Sequence, residues 1–143
     1  MSQADVDLVR ALVPSPEVDW AAVIHDEAMS RQLRAATTDL FDPGFRCCMS
    51  SVTDTWREGM AGLWAIWEEW LEPWSSYHIY EEEIRDLGDG RVLWMGRDVG
   101  GRPDDTGDVT LLSSAIWTVS SGKVSEVVFY ASRERALQVA DAD

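Results

Sequence analysis

The sequence predicts an α+β domain in which helices lie against an antiparallel sheet. Three observations carry that expectation. The first half of the 143-residue chain spaces its apolar residues at helical period. The second half reads as strands and holds two tight-turn signals, Gly88-Asp89-Gly90 and Ser120-Ser121-Gly122. Helical spacing returns after Ser132, which reads as a cap.

Taken in order, the elements follow from spacing and punctuation. Val6, Val9, Leu12 and Val13 form the stripe of a first helix, capped by Ser2 and ended by Pro14 and Pro16. Asp19 opens a second helix running to about Leu40, with Trp20, Val23, Ile24, Ala28 and Leu33 apolar. Asp42-Pro43-Gly44 signals a turn, and Phe45 to Val52 is a short segment compatible with a strand. Glu58 to Trp74 is the strongest helix. Leu63, Trp67, Trp70 and Trp74 recur along it, Met60, Trp64 and Leu71 widen the stripe, and Pro73 closes it. Such a stripe serves as core or as the wall of a pocket. Strands are then expected over Tyr77–Leu87, Arg91–Val99, Val109–Val119 and Lys123–Tyr130, with a polar loop over Gly100–Gly107. A short last helix carries Ala136, Leu137 and Ala140. No repeat or linker divides residues 1–143, so one domain is expected.

Composition narrows the function classes. Twelve Lys and Arg against 26 Asp and Glu leave a formal charge of −14. Such a surface repels phosphate backbones and anionic lipid, so neither nucleic acid nor membrane is an expected partner. Eight tryptophans and 45% hydrophobic residues exclude a disordered acidic chain. No apolar run reaches the ~20 residues of a membrane span. Residues 1–10 lack the basic start and apolar stretch of a signal peptide, so a cytoplasmic location is expected. Cys47 and Cys48 are adjacent and make no disulfide framework; they read as reduced thiols beside a core.

The strands are apolar on both parities. Leu93, Met95, Val99, Leu112, Ile116, Val127 and Phe129 fall on one; Tyr77, Ile79, Val92, Trp94, Trp117, Val128 and Tyr130 on the other. A sheet with one solvated face would alternate apolar with polar. Helices cover one face, and the first parity is assigned to them. The second then needs a partner, which predicts a homodimer through Trp94, Trp117 and Tyr130.

Familiar chemical motifs fail on inspection. The glycines from Gly96 to Gly101 are followed by no helix, and Gly122-Lys123 lacks the rest of a phosphate loop, so no cofactor is expected. His25 and His78 have no companions at metal-ligand spacing, and no metal is expected. Glu81-Glu82-Glu83 reads as a solvated strand edge.

The ordered set of Asp5-Val6-Asp7-Leu8-Val9-Arg10, Gly59 to Trp74, Ile84 to Val92, Ala115 to Val124, and Tyr130 to Leu137 resembles the SnoaL-like branch of the nuclear transport factor 2-like superfamily. That resemblance implies a curved sheet wrapped around the N-terminal helices, a cystatin-like cone with an internal apolar pocket, and frequent dimerisation. It spans polyketide cyclases, ketosteroid isomerases, epoxide hydrolases and proteins that only bind, so fold alone does not choose the function. The isomerase positions fall near Ala11, Cys47 and Ser114, where its Tyr and two Asp are missing. Of the limonene epoxide hydrolase triad, Arg97 fits, while Val99 and Ser132 stand where the acids belong.

Three readings remain. The first is a binding module whose Trp-rich pocket takes a small, mostly neutral organic ligand. Its expected lining is Arg97, His78, Tyr80, Met95, Ser114, Trp67 and Phe129, with Arg97 either paired to an internal acid or meeting the polar end of the ligand. The second is a cyclase- or isomerase-type enzyme with His78, or an unassigned acid such as Asp98, as base. Asp98 has the outward parity, which counts against it unless a bulge intervenes. The third is a dimeric scaffold whose tryptophans fill their own pocket.

Overall fold

A computed structural model describes residues 3–50, 55–104 and 107–142. Four helices come first or nearly so: α1 (Gln3–Leu12), α2 (Trp20–His25), α3 (Glu27–Thr37) and, after strands β1 (Phe41–Met49) and β2 (Trp56–Glu58), α4 (Gly59–Leu71). Strands β3 (Ser76–Gly88), β4 (Arg91–Gly101), β5 (Asp108–Ser120) and β6 (Lys123–Tyr130) follow, and α5 (Arg133–Asp141) closes the chain. This is the expected α+β order. Ser2 and Val52 lie outside the described residues.

Two local departures have clear causes. The long helix expected after Asp19 is two helices. Asp26 is extended, with ψ 113°, and its carboxylate accepts from the Met29 N–H at 3.0 Å. A side chain that caps a new helix ends the old one. The Asp42-Pro43-Gly44 turn is a kink inside β1: Gly44 N–H donates to the Asp42 carboxylate at 2.9 Å, and the pairing with β6 shifts between Phe41 and Arg46.

The sheet runs β2-β1-β6-β5-β4-β3. From β3 to β6 it is the expected antiparallel meander, but β1 adds to β6 in parallel and carries β2 at the edge. Both hairpins turn through left-handed backbone, with φ of 84°, 54° and 80° at Gly88, Asp89 and Gly90.

The faces of the sheet are assigned opposite to the sequence expectation, and this matters most for function. Tyr77, Ile79, Val92, Trp94, Ala115, Trp117 and Val127 pack with the helical residues Val9, Trp20, Leu63 and Trp64 in the main core. Leu93, Met95, Ile116 and Tyr130 lie on the outer face under Ala136 and Ala140 of α5. The face that had been given to a second subunit is thus covered by the N-terminal helices and α4, and α5 covers the opposite one. Trp94 and Trp117 are inside, so they form no outer interface, and Tyr130 is buried beneath α5. The parity of β6 inverts for its own reason. Val119 opposes Val124 while Thr118 opposes Glu126, so Ser125 is a bulge. Val127 and Phe129 therefore share a face with Trp117 and Ala115, their partners across the strand.

Polar ties fix the helices to the sheet. The Asp19 carboxylate accepts from the Ala22 N–H at 3.2 Å and from the Tyr77 N–H at 3.0 Å, so one residue caps α2 and anchors β3. Arg10 of α1 pairs with Glu81 of β3 at 3.0 Å. Cys47 and Cys48 are buried, and burial pushes the Cys47 thiol up to about 11, so Cys47 is no nucleophile at neutral pH. No helix among the described residues is long and apolar enough to cross a membrane.

Candidate ligand site

The concave face and the helices line a cavity of about 660 Å³ that opens to solvent past Met29 and Leu112. Its size is that of a pocket for a small organic molecule. Six of the eight tryptophans line it: Trp20 of α2, Trp64, Trp67 and Trp70 of α4, Trp94 of β4 and Trp117 of β5. Their rings brace one another edge to face. Trp67 lies 5.6 Å from Trp20 and 5.4 Å from Phe129, and Trp117 lies 6.5 Å from Phe129. The stripe along α4 is thus core and pocket wall at once.

Glycines on β4 make room for two tryptophan rings, that of Trp94 in the cavity wall and that of Trp74 outside it. A Cβ on Gly96 would sit 2.2 Å from Cη2 of Trp94, and one on Gly100 would sit 2.5 Å from the Trp74 ring. Both are on the concave parity.

One carboxyl group stands among the aromatic walls. Asp98 faces Ile79 on β3 and Leu111 on β5, and is only 5% exposed. Tyr77 donates its hydroxyl to Oδ2 at 2.5 Å, and Ser113 donates to Oδ1 at 2.7 Å. Trp70 donates its indole N–H to the Tyr77 oxygen at 2.8 Å, which leaves the phenolic proton for Asp98. Burial raises the Asp98 carboxyl above its ordinary range, and the two hydroxyl donors oppose that shift. Burial, then the charge of Asp98, raises the Tyr77 hydroxyl well above its usual range, so Tyr77 remains a donor.

The raised carboxyl makes a pH prediction. A native carboxyl that holds its proton more tightly than the unfolded one stabilises the fold fully below the ordinary value of 3.8. That contribution is lost as the pH climbs through the raised native value. Asp98→Asn removes the titration. Melting curves should therefore show wild type losing stability relative to Asp98→Asn from acid to neutral pH; parallel curves would place Asp98 in water.

The expected lining residues divide. Trp67 and Phe129 line the cavity. Ser114 borders it, but its hydroxyl donates to the Tyr130 carbonyl at 3.3 Å. Met95 lies in the outer cluster. Arg97 is on the outer face with its guanidinium 5.1 Å from the Tyr80 ring centre, and His78 donates through Nδ1 to the Pro16 carbonyl at 2.8 Å. Arg97→Met should accordingly leave both the melting temperature and the affinity for any cavity ligand unchanged; calorimetry on the two proteins checks this. Asp98, set aside by parity, is the acid that reaches the cavity, with no bulge needed. The signal was present in Trp94, Gly96 and Asp98 at alternate positions: a large ring beside a glycine marks a concave face.

No protein-family model matches the sequence, and no curated protein matches it. Solved structures do. A SnoaL-like polyketide cyclase from Jannaschia sp. CCS1, so named provisionally, aligns over 100% of this chain and 97% of its own, with TM-score 0.67 and 19% identity. A nuclear transport factor 2-like protein of unknown function from Burkholderia pseudomallei aligns over 99% of each chain, with TM-score 0.63 and 13% identity. A protein with a ketosteroid isomerase-like fold from Catenulispora acidiphila, in complex with trimethylamine, aligns over 87% of this chain and 92% of its own, with TM-score 0.58 and 13% identity. The chain therefore has the nuclear transport factor 2-like fold, the cone shared by SnoaL-like and ketosteroid isomerase-like proteins. At these identities the likeness is one of fold.

Proposed function

We propose that this chain binds a small organic molecule, apolar over most of its surface, in the concave cavity, with its one polar end at Asp98. The observation that carries the reading is a single buried carboxyl in a cavity walled by six tryptophans. Apolar walls bury the body of a ligand and a few fixed polar groups orient it. The open volume of about 660 Å³ speaks against a scaffold whose tryptophans fill their own pocket. Native mass spectrometry of the protein purified from its own host tests the reading. A reproducible small-molecule adduct, lost when Trp67 is replaced by Arg in a variant that still folds, is the expected result. A bare protein whose tryptophan fluorescence ignores a panel of planar organic compounds would overturn it.

Asp98 also supports a second reading, an enzyme that moves a proton at carbon beside a carbonyl. A carboxyl raised by burial is suited to general acid–base work near neutral pH. Tyr77 and Ser113 hold it in one orientation. Deuterium uptake from heavy water into a bound ketone, abolished in Asp98→Asn, would establish it; no uptake by any bound ketone leaves binding alone.

A further inference from the structure

We infer that the cavity selects an organic cation, a molecule with an apolar body and one protonated amine, and that Asp98 is its counter-ion. The inference rests on the cavity being a ligand site and adds the charge of the ligand.

A census of polar groups leads there. The Trp70 N–H is given to Tyr77, and the Tyr77 and Ser113 hydroxyls are given to Asp98. Thr37 and Ser114 donate to the Leu33 and Tyr130 carbonyls. The indole N–H groups of Trp20, Trp64, Trp94 and Trp117 are buried without a partner, so those rings show carbon to the cavity, not their donor edges. The donors grouped around Asp98, those of Trp70, Tyr77 and Ser113, are thus already given within the protein. What remains is acceptor capacity, the lone pairs of Asp98 that two hydroxyls do not fill.

Charge points the same way. Among the described residues, no Arg, Lys or His lines the cavity. Arg34 reaches the Trp64 ring, 5.4 Å from its centre, without lining it. The described ion pairs of this protein are on its surface, whereas the described partners of Asp98 are hydroxyls. A buried carboxylate without a cation is costly, and a ligand ammonium removes that cost. Indole rings are the strongest aromatic partners for a desolvated ammonium. Acceptor, missing counter-charge and ring walls therefore describe one ligand class.

Titration calorimetry with two probes of like size tests this. Protonated N,N-dimethylbenzylamine carries a cationic donor; N,N-dimethylbenzamide is neutral and offers an acceptor. The amine is expected to bind at least about tenfold more tightly, a factor within reach of one buried charge pair. Asp98→Asn is expected to narrow that gap by about tenfold or more. Equal or tighter binding of the amide overturns the cation while leaving the cavity as a ligand site. An amine preference that survives in Asp98→Asn assigns the attraction to the acidic surface and also overturns it. Absence of binding by either probe to millimolar concentration overturns both readings. If Asp98→Asn does not fold, high salt decides: a buried pair keeps its preference, and a surface attraction is screened away.

Discussion

Trp117→Glu is expected to destroy the folded state, not to dissolve a dimer. Trp117 is buried between Val92 and Val127 in the sheet, and its ring meets Phe129 at an interplanar angle of 77°. Glutamate there loses the aromatic contacts and places a second carboxylate in the cavity that already holds Asp98. No cation lines that space among the described residues. Loss of a large core side chain costs roughly 3–5 kcal/mol, and an unpaired buried carboxylate adds to it. Most domains have only about 5–15 kcal/mol in total. Circular dichroism and urea denaturation should find little native protein, while Trp117→Phe, which keeps an apolar ring, should retain the fold at reduced stability. A well-folded Trp117→Glu monomer would return Trp117 to an outer face.

That prediction turns on the point where sequence and structure part. Element order was legible because helical and strand periods differ, and because the turn and cap residues sit where backbone chemistry requires them. Gly88-Asp89-Gly90 and Ser132 are of this kind. The break at Asp26 was not, since the same Asp suits an exposed helix position or a cap. The parallel pairing of β1 with β6 leaves no local trace, because it joins segments far apart in sequence. The two faces of the sheet were the hardest. Alternation identifies a face only when one side is polar, and here α5 makes the outer face apolar too. The bulge at Ser125 then exchanged the parity of β6. Trp67 was found through the helical stripe, whereas Phe129 lines the cavity because the exchanged parity of β6 offset the inverted face assignment. Asp98 was named as a candidate base and set aside through the face assignment alone, although its strand neighbours Trp94 and Gly96 share its face.

Gly96→Ala is the smallest change expected to have a large effect, and it joins the fold to the site. The added methyl would sit 2.2 Å from Cη2 and 2.8 Å from Cζ2 of Trp94, and 2.4 Å from the Tyr80 carbonyl oxygen. Side chains yield more readily than backbone, so two costs are superposed. Trp94 must leave its bed on β4, which alters the cavity wall. Strand β3 must move away from β4 where their register already shifts, between Glu81 and Glu83. The Gly96 carbonyl also accepts from Arg133 of α5 at 2.8 Å, so a displaced β4 disturbs the outer face as well. Overpacking of this kind costs about 1–3 kcal/mol, and the backbone clash puts Gly96→Ala at or above the upper end. Adding Trp94→Leu removes both ring contacts and leaves the Tyr80 clash. Chemical denaturation of the single and double variants therefore separates the two costs. Partial recovery in the double variant is expected, with the unrecovered part belonging to the β3–β4 backbone. Full recovery would mean that the ring alone requires the glycine, and no recovery would mean that the strand spacing alone does. In either of those cases Trp94 and the bulge on β3 would be independent features of the fold. Partial recovery makes them coupled, with the spacing of two strands and the position of one cavity wall set by the same missing side chain.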